Sequence, residues 1–129
     1  MTTKKSVLII GLEPELIDFS KPEFAAFPGL DAAKVRASLE ADQTLLNTLG
    51  YDAQICLTDF GETAEATIKA ELQKKTFDVI VIGAGIRTFA STFLLFEQII
   101  NVVHAHAPTS KICFNTKPSD TAEAVQRWL

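Results

Sequence analysis

Residues 77–87 read FDVIVIGAGIR, and the run Val79-Ile80-Val81-Ile82 decides the fold. Successive side chains of a strand point to opposite faces, so a run that is apolar at every position needs cover on both sides. Helices packed on both faces of a parallel sheet give that cover, which makes this a central strand of an α/β domain. It runs straight into Gly83-Ala84-Gly85 and Arg87, so a core strand hands the chain to a glycine turn with a cation beside it.

Working outward, Ser6 to Gly11 (SVLIIG) has the same continuous apolar character and reads as the first strand. Tyr51 to Leu57 (YDAQICL) alternates more, as an edge strand does, and Lys111 to Asn115 (KICFN) reads as the fourth strand. Helical spacing fills the gaps. Asp31 is placed to cap a helix running to about Leu49, which Gly50 ends in a left-handed conformation. Val35, Leu39, Leu46 and Leu49 mark its buried face, and Asp42 falls in the middle of that stripe. A carboxylate there must be paired, reach an edge or face a polar site, and it is read as an edge or capped position. A second helix, Glu62 to about Lys75, is buried along Ala64, Ile68 and Leu72. A third opens near Ser91, as N-cap, and runs to about Ala107 before Pro108. After the turn Asn115 to Asp120, a last short helix carries Val125, Trp128 and Leu129.

The alternation βαβαβαβα demands parallel strands with right-handed crossovers. The expected fold is one domain over residues 1–129, a three-layer αβα sandwich with a flavodoxin-like or receiver-like sheet in the order 2-1-3-4.

With 129 residues and a net charge of −4, and with no cluster of Lys and Arg on one segment, the chain lacks the footprint of a nucleic-acid binder. No stretch approaches the ~18 apolar residues of a membrane span. The start, MTTKKSVLII, lacks the apolar region and cleavage site of a signal peptide. A soluble cytoplasmic protein is expected. Cys56 and Cys113 sit inside strand-like runs and read as inert core thiols. In the expected strand order they lie about 14 Å apart, too far for a disulfide.

In such a sheet, ligands bind beyond the carboxyl ends of the strands where connections diverge, here strands 1 and 3. Three segments meet there. Leu12 to Leu30 is too long for an ordinary connection, and with Phe19, Phe24 and Phe27 it is read as folding back as a lid or as plugging the end of the sheet. The second segment offers Gly83, Ala84 and Gly85 for close backbone approach, Arg87 as a forked cation, and free N–H groups near Ser91. The third offers Asn115 and Thr116 as polar readers, and Gly11 ends strand 1. Together these residues point to an anionic small molecule carrying a phosphate or carboxylate, with Glu13 as the acid/base group of a catalytic reading. GAGIRT lacks the third glycine of a dinucleotide fingerprint and no Walker lysine loop is present, so the cofactor is unknown from the sequence. His104 and His106 are two residues apart and do not share a helix face, so no metal site is expected.

The alternative is a non-catalytic, receiver-like interaction module. Gly83-Ala84 stands where a receiver carries its phosphoacceptor Asp. The helix from Ser91 to Ala107 is apolar around most of its circumference, which suggests a homodimer through that helix.

The blocks GLEPELIDFS, PGLDAAKV, GAGIR, LLFEQIIN and ICFNTKPSDTAEAVQRWL together resemble a small family of uncharacterised bacterial proteins. The resemblance covers almost the whole chain and implies a single domain, with no activity or site residue to carry over.

Overall fold

The computed structural model describes residues 4–129. Met1 to Thr3, the start of the stretch read as lacking a leader, lie outside the described residues. The strands are β1 (Ser6–Leu12), β2 (Asp52–Thr58), β3 (Val79–Ile82) and β4 (Lys111–Phe114), all parallel and in the order β2-β1-β3-β4. The helices are α1 (Ala32–Thr48), α2 (Ala64–Lys74), a single turn α3 (Ala84–Arg87), α4 (Phe93–His106) and α5 (Thr121–Gln126).

Alternation along the strands builds two cores. Leu8, Ile10, Ile80 and Ile82 face α2 and α4, packing on Ile68, Leu72, Ile99 and Val103. Val7, Ile9, Val79 and Val81 face α1 and α5, packing on Leu46, Ala124 and Val125. All of β3 is fully buried, and burying each such aliphatic side chain contributes about 1.5–3 kcal/mol. The register sets Val7 opposite Val79 and Ile10 opposite Ile82. Cys56 belongs to one core and Cys113 to the other, on the two edge strands, and burial raises both thiols to about 11. Neither is a reactive nucleophile at neutral pH.

Local capping at α1 agrees with the sequence. Lys34 N–H donates to Asp31 Oδ1 at 2.9 Å, and Gly50 takes a φ of 98° after the last turn. The third long helix departs from expectation. It begins at Phe93, not Ser91, because the chain first makes the turn α3 and a 3-10 turn at Ala90–Thr92. Thr92, at the N-cap position, donates its hydroxyl back to Ile86 O at 2.5 Å rather than accepting from its own helix. The broad apolar surface of α4 also has an explanation within the chain. Leu95, Ile99, Val102 and Val103 are buried, and Phe96 packs edge-on against Phe114 with ring centroids 5.8 Å apart. The large exposed apolar groups of α4 are Phe93 and Leu94, in its first turn. Among the described residues, no helix is long and apolar enough to cross a membrane.

Candidate functional site

The chain leaving β1 turns back over the carboxyl ends of the strands. Prolines at 14 and 22 start two 3-10 turns, Pro14–Leu16 and Pro22–Phe24, where a missing N–H costs nothing. These turns bring Phe19, Phe24 and Phe27 to one place. Phe24 lies 4.8 Å from the Phe89 ring centroid and 5.2 Å from that of Phe19, and Phe27 meets Phe89 edge-on at 6.2 Å. The Ser91 hydroxyl donates to Glu23 at 2.8 Å and ties the same loop to the segment after β3.

Beneath this aromatic roof is a cavity of about 370 Å³. Its floor is the Gly11 and Gly83 ends of β1 and β3, and its walls are mainly apolar, with Leu12, Ile17, Val35, Leu39, Phe60 and Ile86. A Cβ on Gly83 would lie 3.3 Å from Ile10 O, a tight approach to a backbone atom. A Cβ on Gly85 would meet nothing within 4 Å. Ala84 and Gly85 open the single turn α3, so their N–H groups have no carbonyl partner within it.

Of the residues expected at a site, Gly11, Gly83, Ala84, Gly85, Ser91, Asn115 and Thr116 line this one cavity. Arg87 and Glu13 are not among its lining residues. Arg87 sits at the end of α3 and folds beneath the turn, its Nε donating to Ile82 O at 2.8 Å and its Nη2 to Asn115 Oδ1 at 2.9 Å and also to Asn115 O. Its guanidinium lies 5.1 Å from the Phe114 ring centroid. Burial lowers its pKa while Asp120 opposes the shift, and an arginine remains charged regardless. Arg87 therefore splices β3 to β4 instead of facing the cavity. Glu13 pairs with Arg36 and caps the first 3-10 turn through Glu15 N–H at 3.4 Å. Ser91 lines the cavity, but its hydroxyl is engaged by Glu23 and does not cap a helix.

The structure adds a carboxylate that the sequence had left at an edge. Asp42 of α1 lines the cavity. Its Oδ2 accepts from the Thr121 hydroxyl at 2.8 Å. Thr121 in turn accepts from Asn115 Nδ2 at 3.0 Å, which closes a chain of hydrogen bonds running from Arg87 through Asn115 and Thr121 to Asp42. Burial raises the Asp42 carboxyl above its ordinary value, Thr121 opposing and Asp120 adding to the rise. The signal was present in the sequence, because 35, 39, 42 and 46 fall on one helical face. Phe89 and Lys117, also on the lining, carried no such signal.

Thr116 and Lys117 hold their turn through Asp120, whose Oδ1 accepts from both backbone N–H groups, at 2.9 and 3.2 Å. Lys21 and Lys117 stand on the lining with no carboxylate within ion-pair distance among the described residues. Among the described residues no group of three His, Cys, Asp or Glu side chains is placed to hold a metal ion. No family model matches the chain, and no curated protein matches it.

Proposed function

We propose that this protein binds a small molecule with an apolar body and an anionic head, a carboxylate or phosphate, at the carboxyl ends of β1, β3 and β4. The observation that carries the reading is a roofed cavity of about 370 Å³ at the place where connections diverge in a parallel sheet. That volume lies in the range of small-molecule sites. Phe24, Phe89 and Leu39 suit an apolar body. The N–H groups of Ala84 and Gly85, with Lys21 and Lys117 on the same lining, suit the head, while the Gly83 N–H is spent on Ile10 O at 3.0 Å.

Thermal-shift titration with 3-phenylpropanoate and phenyl phosphate tests this. Both should raise Tm more than inorganic phosphate does, and Lys117→Ala should weaken them by about fivefold, the loss of one exposed charge contact. Absence of any shift with either probe would overturn the reading.

A second reading, a module that dimerises through α4, is favoured by one observation. Phe93 and Leu94 are 61% and 74% exposed, with exposed Phe114 on the edge strand β4, which packs against Phe96 of the same helix. Sedimentation at high concentration, with Leu94→Asp as control, separates a dimer from a strict monomer.

A further inference from the structure

We infer that the ligand also carries a protonated amine, received by Asp42, so that the site is shaped for a zwitterion with an apolar body; this rests on the anionic-head reading above. The cavity has other acids on its lining, but they are engaged. Asp18 accepts from the Ser20 hydroxyl at 2.6 Å and N–H at 3.0 Å, and Glu23 accepts from Ser91 through both oxygens. Asp42 is different. It is half-buried in a mainly apolar wall, and no Lys, Arg or His of the described residues lies within ion-pair distance of it.

The hydrogen-bond chain behind it has a direction. Arg87 donates to Asn115, Asn115 to Thr121, and Thr121 to Asp42 Oδ2. The chain fixes the carboxylate and uses only part of its acceptor capacity, which spans two oxygens and about four lone-pair directions. A carboxylate taken out of water without a cation is costly, and burial has already pushed this one upward. A ligand ammonium supplies both the missing charge and the missing donors. A hydroxyl would supply a donor but leave the charge uncompensated. The same cavity has Lys21 and Lys117 on its lining, neither within ion-pair distance of a carboxylate among the described residues, so opposite charges on one small ligand find opposite charges in one cavity.

Calorimetric titration of the intact protein with three probes that share a phenyl body tests this: 3-phenylpropanoate (carboxylate alone), 2-phenylethylamine (amine alone) and phenylalanine (both). Phenylalanine should bind about tenfold more tightly than 3-phenylpropanoate, the worth of one charge-assisted contact in a partly buried site. Asp42→Asn should bring the two within about twofold while 3-phenylpropanoate still binds at least as well as to the parent, which also reports that the variant is folded. If 3-phenylpropanoate binds but phenylalanine binds no better, or if Asp42→Asn leaves their ratio intact, the amine is overturned and the anionic-head reading stands. If 2-phenylethylamine binds in an Asp42-dependent way and 3-phenylpropanoate does not bind, the amine stands and the head-group reading falls. Failure of all three probes overturns both.

Discussion

Ring centroids of Phe24 and Phe89 lie 4.8 Å apart, so the loop after β1 and the loop after β3 close over the cavity by direct aromatic contact. Phe89 also meets Phe27, so it holds two rings of the opposite loop. Phe89→Ala should cost about 1–3 kcal/mol, less than a fully buried ring because this one is half-buried. Amide exchange across residues 13–30 should speed up while β1 and β3 stay protected. Ser91→Ala removes one exposed hydrogen bond and should change stability by less than ~0.5 kcal/mol. Exchange mass spectrometry on the two variants distinguishes a roof held by rings from one held by the Ser91–Glu23 bond.

Arg87 is placed to act on stability. Its guanidinium reaches Ile82 O and Asn115 Oδ1 at once, a geometry that requires a planar fork. Arg87→Ala should destabilise by about 1–3 kcal/mol in urea, because it strips donors from partly buried acceptors. Arg87→Lys should recover less than half of that, since an ammonium cannot satisfy both partners in the same way. Equal stability of all three proteins would refute the splice.

Asp42 sets a pH dependence with an unusual sign for a carboxylate. Burial raises its folded pKa, so between the ordinary value and the raised one the native state holds a proton that the unfolded chain has released. Its contribution to stability therefore falls as pH rises through that window, and the full penalty is present above it. Asp42→Asn should melt a few degrees higher than the parent at neutral pH, with the gain shrinking as pH drops toward the ordinary carboxylate range. A gain that does not shrink in acid would refute it. A substitution that stabilises the fold while abolishing recognition of an amine would mark Asp42 as kept for binding.

The two glycines of the turn should answer differently to the same methyl group. Gly83→Ala presses a Cβ against Ile10 O at 3.3 Å and should cost on the order of 1–2 kcal/mol. Gly85→Ala meets open space and should fold like the parent, within ~0.5 kcal/mol. Thermal melts of both suffice to check this.

How much of this was legible in the sequence depended on whether a residue's neighbours lie along the chain or across the fold. The strand order followed from four apolar runs and the chirality of parallel crossovers, and the ends of α1 followed from Asp31 and Gly50, whose effects are local. Most of the cavity lining followed too, because the carboxyl ends of β1, β3 and β4 must meet. The direction of Arg87 did not. The extra helical turn at Ala84–Arg87 folds its side chain back beneath the strand end, and nothing in GAGIR says that this turn forms before the long helix. Asp42 was visible on the buried stripe, but its partner Thr121 lies 79 residues away, beyond any local pattern.

That separation has a consequence for how the site comes into being. The wall holding Asp42 is translated early, and the hydroxyl that steadies it arrives only after β2, β3 and β4 have all been made. A nascent chain, or any fragment cut between positions 42 and 121, lacks the Thr121 hydroxyl that the Asp42 carboxylate accepts from. On the proposed reading, a small molecule bound at Asp42 would stabilise the completed fold and do nothing for its precursors.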